Sequence, residues 1–305
     1  MDQAVVLRAM TKGETQSASA GEGRALPTPG EGKKSQNTVR VISVTSGKGG
    51  VGKTNITINL AYLLSKMNKK ILVVDADMGL ANIDVALGLT PKVNLFHVLD
   101  GRKSMQEAMI EGPGGIMILP SASGIQEMSD LSKGQKLTLL DELRSLSREM
   151  DFLLIDTAAG IAGNVMYFNM AAQEIIVVAS SEPTSLTDAY AIIKVLHQKH
   201  AKNRFRLIVN MARDPQEGKE VYQRLNQATD RFLNLHIEYF GYILRDERLP
   251  EAVKQQKAFT ALYPHSPASK CLASLAEKLC HEQPVGGDPG GIGLFWERII
   301  EKNCG

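Results

Sequence analysis

Residues Ser46 to Thr54 read SGKGGVGKT, which spaces one glycine, four residues, then glycine, lysine and threonine. Chemically this is a cradle for a polyphosphate. Glycines let backbone N–H groups converge on crowded phosphate oxygens, and a helix that starts where the loop ends aims its positive terminus at them. Lys53 neutralises the outer phosphates, and the Thr54 hydroxyl suits Mg²⁺. The expected nucleotide-binding set is Gly47, Lys48, Gly49, Gly50, Val51, Gly52, Lys53, Thr54 and Asn55. Acidic groups follow two apolar runs: VVDAD ends in Asp75 and Asp77, and LLIDTAAG supplies Asp156. Alternate residues at a strand end point the same way, so Asp75 and Asp77 lie on the phosphate-loop edge of the sheet if the strands are parallel. Asn210, in VNM, puts a side-chain amide at a further strand end, where it can donate and accept at a purine edge or simply make a turn.

The elements that must carry these groups are legible. Short apolar runs alternate with longer amphipathic ones from Arg40 onward: 41–45, 71–74, 116–119, 152–155, 175–179, 207–209 and 239–243. Continuous rather than alternating apolarity marks strands buried on both faces. The predicted fold is therefore α/β, a mostly parallel central sheet with helices on both faces. The phosphate loop lies between the first strand and an amphipathic run over 55–67, the order such a loop requires. A helix is expected over 268–281. The glycines of 286–293 then loosen the chain before Ile292, Phe295, Trp296, Ile299 and Ile300 form an apolar stripe at helical spacing. Four segments follow: residues 1–10, apolar-rich; 11–37, a Gly/Ser/Pro/Glu linker; 38–284, the compact domain; and 285–305, a glycine-rich linker with an amphipathic tail.

Composition narrows the function classes. The 305 residues are 43% hydrophobic and 22% charged with a formal net charge of +2, ordinary for a globular chain and too weak for one that coats nucleic acid. Three cysteines, Cys271, Cys280 and Cys304, lack metal-ligand spacing, and an odd count argues against a disulfide framework. The six histidines have no chelating spacing either, and His197 and His200 read as C-terminal residues of a helix. With no apolar signal core and no run near the ~20 residues of a membrane span, the expected location is the cytoplasm.

The extra lysine at Lys48 carries a resemblance. The loop KGGVGKT, residues 48–54, resembles the deviant Walker loop of the MinD/ParA P-loop ATPases, which implies an enzyme that hydrolyses ATP slowly with Mg²⁺ and dimerises around it. In that family the early lysine, here Lys48, reaches the partner's nucleotide and offsets repulsion between facing phosphates. Asp75 and Asp77 resemble the switch I pair, with Asp77 orienting the attacking water and Asp75 serving the switch and dimer contacts. Asp156 resembles the Walker B acid holding a Mg²⁺-bound water, and Gly160 the switch II glycine. Lys48, Lys53, Asp77 and Asp156 are thus the expected catalytic set, Thr54, Asp77 and Asp156 the Mg²⁺ set, and Asn210 the adenine contact. Ala158 departs from the family's usual D-x-P-A-G, which leaves switch II less stiff than proline would make it.

A narrower resemblance covers nearly the whole chain. Residues 181–190, VKQQK at 253–257 and FWER at 295–298 resemble the flagellar MinD-like ATPases of the FlhG/FleN group, which set flagellar number and placement. Asp2 to Arg8, DQAVVLR, looks like that group's activator of the flagellar signal-recognition-type GTPase, FlhF, with Gln3 activating, Leu7 anchoring and Arg8 making the charged contact. The implied partners are a second copy of the chain in the ATP state, that GTPase, and a flagellar transcription regulator or basal-body protein, with no specific nucleic acid. A cell-division MinD or a DNA-partition ATPase is the alternative. The tail's stripe either lies on the membrane in the ATP state or packs on the domain or a partner; its balanced charges give no pull towards anionic lipid.

Overall fold

The computed structural model describes residues 39–77, 82–93, 97–98, 101–120, 140–142, 149–282 and 292–302. The expected arm and linker, with Gln3, Leu7 and Arg8, lie outside the described residues, as does Cys304. In chain order the elements are β1 (Arg40–Ser46), α1 (Lys53–Lys66), β2 (Ile71–Ala76), α2 (Ile83–Leu87), α3 (Met105–Ala108), β3 (Ile110–Glu111), β4 (Met117–Leu119) and β5 (Phe152–Ala159). They continue with α4 (Gly163–Ala171), β6 (Glu174–Ala179), α5 (Pro183–His200), β7 (Arg206–Ala212), α6 (Pro215–Leu233), β8 (Glu238–Leu244), α7 (Leu249–Lys254), α8 (Phe259–Leu262), α9 (Pro267–His281) and α10 (Ile292–Lys302).

The strands form one sheet in the order β3-β4-β2-β5-β1-β6-β7-β8, parallel except for the short β3–β4 pair at one edge. Burial on both faces explains the continuous apolar runs. Along β1, Val41 packs into one face while Ile42 and Val44 pack into the other; along β5, Leu153 and Ile155 oppose Leu154 in the same way. One face is covered by α1 and α9, with Leu60, Leu64, Leu272, Leu275 and Leu279 in a shared core. The other is covered by α4, α5 and α6. The register sets Asp75 of β2 opposite Asp156 of β5, so two acids meet at the carboxyl edge of the sheet.

The tail helix α10 packs on this domain. Phe295, Trp296 and Ile299 are buried in the same core as Phe168 and Ala171 of α4, with the Phe168 and Phe295 rings stacked at 6.4 Å between centroids. Of the two readings of its apolar stripe, the structure displays the packed one. No helix among the described residues is long and apolar enough to cross a membrane.

Candidate functional site

The loop between β1 and α1 is built around two left-handed glycines. Gly50 has φ 77° and Gly52 φ 92°. A side chain at Gly52 would also strike the Asn210 amide, and one at Gly47 would run into the backbone carbonyl of Asp188 in α5. The loop is therefore wedged between β7 and α5, and its conformation is coupled to both.

A cavity of about 650 Å³ opens beside it, lined by Gly49, Gly50, Gly52, Lys53, Thr54 and Asp77. Lys53 is 8% exposed; burial lowers its amine, against the opposing pull of Asp156 and Asp77. Asp77 accepts from the Asn82 side-chain amide at 3.0 Å. Asp75 is buried and accepts from three backbone N–H groups, those of Asp77 (3.1 Å), Asn82 (2.9 Å) and Ile83 (3.1 Å). Its carboxylate thus gathers Asp77 and the start of α2, and burial still outweighs these bonds to raise its carboxyl. At 1% exposure, Asp75 is not a contact surface itself.

Asp156 is buried and carries a hydrogen bond from Thr54. Its carboxyl is pushed up to about 7, above all by burial, and further by Asp75 and Asp77. Among the described residues no three acids or histidines cluster as a ready-made metal cage, but Asp156 and Asp77 with the Thr54 hydroxyl are hard oxygen donors of the kind that holds Mg²⁺ with water and phosphate completing its shell. Thr54, Asp156 and Asp77 therefore fit Mg²⁺. Gly160, φ 94°, follows β5 and donates its N–H to Ser46 O at 2.9 Å, which ties the second switch position to the end of β1.

Asn210 donates its side-chain amide to Val51 O at 2.8 Å. That bond ties the amide to the phosphate loop and uses one of its two N–H donors. The residue lines a neighbouring cavity of about 360 Å³ together with Asn55, Met211, Arg245, Asp246 and Pro250.

Lys48 lies outside the cavity lining. Its amine pairs with Glu182 at 2.6 Å and with Thr184 Oγ1 at 3.1 Å, at the start of α5. The Lys48 side chain is 38% exposed and that of Glu182 64%, and exchange of such a pair is cheap. Sequence reasoning used residues 181–190 and 253–257 for a family resemblance and assigned no role to Glu182, Asn82 or Gln256; Glu182 and Gln256 act through partners 134 and 171 positions away, which no local spacing encodes, and Asn82 through Asp77 five residues before it.

Comparison with known proteins follows the geometry. A family model described as an AAA domain matches residues 39–209. The antiactivator FleN of Pseudomonas aeruginosa is 44% identical over 268 residues, spanning 88% of this chain and 95% of that protein. The flagellum site-determining protein YlxH of Helicobacter pylori is 32% identical over 270 residues, 87% of this chain and 91% of that one. Among solved structures, the MinC:MinD cell division complex of Aquifex aeolicus superposes with a TM-score of 0.63 at 29% identity, covering 80% of this chain and 97% of the matched one. MinD of Pyrococcus horikoshii complexed with Mg-ADP gives 0.62 at 26% identity, covering 80% and 96%.

Proposed function

The chain belongs to the MinD/ParA family of P-loop ATPases, and from that premise we propose that it is a flagellar number and placement switch driven by ATP-dependent dimerisation. It is an ATP-binding, ATP-hydrolysing enzyme, with Mg²⁺ as the accompanying ion. The observation that carries the flagellar reading is the likeness, over nearly the full length of the chains, to the antiactivator FleN at 44% identity and to the flagellum site-determining protein YlxH at 32%.

In this reading Lys53 and the loop N–H groups bind the β- and γ-phosphates, Thr54 and Asp156 hold Mg²⁺, and Asp77, held by Asn82, orients the attacking water. Held there, Mg²⁺ would supply positive charge to offset that of the phosphates. Among the described residues, no arginine lines the phosphate cavity and its glutamine, Gln256, is engaged with α2, which supports slow hydrolysis by a single chain. Lys48 exchanges Glu182 for the partner's nucleotide when two chains meet. Exposed apolar side chains support a face-to-face dimer: Val85, Met211 and Val253 line the two cavities. Residues 1–10 act as a tethered activator of an FlhF-like GTPase, with Gln3, Leu7 and Arg8 as its contacts. A flagellar transcription regulator or basal-body protein completes the set of partners. Contact with a membrane requires α10 to leave its seat, and flotation with liposomes in ATP, compared before and after removal of residues 291–305, reads that step.

The test is direct. Full-length chain sediments as a dimer with ATP and Mg²⁺ and as a monomer with ADP, and it stimulates the host's FlhF-like GTPase, a stimulation that Gln3→Ala removes. Dimerisation without any stimulation would favour the second reading, a septum-site or partition ATPase, which the likeness to MinD structures supports. Salt-sensitive binding of nonspecific DNA would then separate partition from septum placement.

A further inference from the structure

One cation facing the phosphate cavity has no part in this scheme. Lys254, the last residue of α7, lines the cavity with Lys53, Thr54 and Asp77. Among the described residues it has no ionic partner. Lys48, by contrast, is held by Glu182. The acid one turn before Lys254, Glu251, accepts from the Gln255 amide at 3.0 Å. An unpaired ammonium on the wall of a site for a polyanion is placed to bind that anion.

The backbone that presents Lys254 is fixed by a second contact. Gln256 has a left-handed φ of 53°, which an L-residue adopts only when its surroundings hold it there. Its side-chain amide donates to Val85 O at 3.0 Å, in the last turn of α2. Gly88, the left-handed C-cap of α2, makes the room: a Cβ there would meet Gln256 Oε1 at 2.8 Å. The other end of α2 is gathered by Asp75, and its N-cap residue Asn82 holds Asp77. The turn after α7 and the Asp77 turn are thus fastened to opposite ends of one short helix.

We propose that Lys254 is a second phosphate ligand supplied by the same chain, binding the outer phosphates of a nucleoside triphosphate, with Gln256 as the positioning residue that sets its reach. This rests on the ATPase reading of the cavity, and it makes the site discriminate triphosphate from diphosphate before any partner arrives.

The experiment measures Kd for ATP and for ADP, both with Mg²⁺, by calorimetry on full-length protein across a range of protein concentrations. Lys254→Met weakens ATP about tenfold, or ~1.4 kcal/mol, and changes ADP less than twofold; Lys254→Arg recovers most of the loss. Gln256→Ala gives a smaller loss of the same selectivity. Unchanged ATP affinity in Lys254→Met overturns the proposal, as does an equal loss for both nucleotides. A loss confined to concentrations at which the chain dimerises also overturns it, because Lys254 would then belong to the partner contact. Failure of the unaltered chain to bind either nucleotide would instead bring down the ATPase reading itself.

Discussion

At the scale of single residues, Asp156 carries the chemistry that pH can read. Its carboxyl is raised to about 7 in the folded chain, chiefly by burial, against roughly 3.9 when unfolded. Between these values the native state binds a proton that the unfolded state has lost. The group's contribution to stability therefore falls as pH rises from about 4 to about 7 and is flat above. The loss amounts to at most about 4 kcal/mol at ~1.4 kcal/mol per unit. Thermal midpoints taken in EDTA without nucleotide should show Asp156→Asn gaining on the unaltered chain across that window; parallel pH profiles would refute the assignment. Lys48 makes the opposite kind of prediction. Its exposed pair with Glu182 is worth about 0–1 kcal/mol. Glu182→Gln should leave the thermal midpoint unchanged yet tighten the ATP-dependent dimer up to about fivefold by sedimentation, because Lys48 no longer has to be released. The phosphate-loop residues were legible in the sequence because the chemistry demands glycine, lysine and threonine at fixed spacing. Glu182 was not, because it pairs with a residue 134 positions away.

At the scale of elements, each expected strand is present, most of them running slightly beyond the apolar run and β4 starting one residue inside it, because apolar runs buried on both faces leave no other reading. The two-residue edge strand β3 and the five-residue α2 were not legible: they are too short for periodicity, and α2 is held by Asp75 and Gln256 rather than by its own sequence. The tail helix was legible as a helix but not in its seat, since an apolar stripe fits a membrane and a protein groove equally. Trp296 in α10 is fully buried and is the chain's single tryptophan. Trp296→Ala should cost about 3–5 kcal/mol if the helix stays docked through unfolding. In the unaltered chain the indole reports docking directly. Emission should be blue-shifted without nucleotide, and a red shift on adding ATP and Mg²⁺ would mark release of α10. A large drop in denaturation midpoint for Trp296→Ala together with an unshifted emission in ATP would fix α10 as a permanent part of the fold.

For the whole molecule, parallel strands impose two poles. Strand ends carry the phosphate loop, Asp77, Asp156 and Asn210, whereas strand starts carry a buried ionic clamp. Arg40, first in β1, makes a bidentate pair with Glu174, first in β6, with both contacts at 2.8 Å. Arg206, first in β7, lies 3.4 Å from the same Glu174 and pairs with Glu238 at 3.1 Å and with Glu282 at 2.9 Å. Arg40 also donates to the carbonyls of Leu279 and Glu282, so the clamp anchors the end of α9. Glu174 is 4% exposed and is the carboxylate that Arg40 pairs with, so removing its charge leaves the buried Arg40 guanidinium uncompensated while Arg206 keeps Glu238 and Glu282. Breaking such a pair costs about 3–5 kcal/mol, which for a chain of this size lowers the thermal midpoint by roughly 10 °C. The seven residues of β1 separate the poles by about 23 Å at ~3.3 Å each, beyond the range over which substitutions usually couple. Glu174→Gln should accordingly lower the midpoint and leave the Kd for ATP within twofold at 20 °C. Loss of nucleotide binding in a variant that remains folded would mean instead that the clamp and the phosphate loop are linked through β1, and that stability and switching are one property of the sheet.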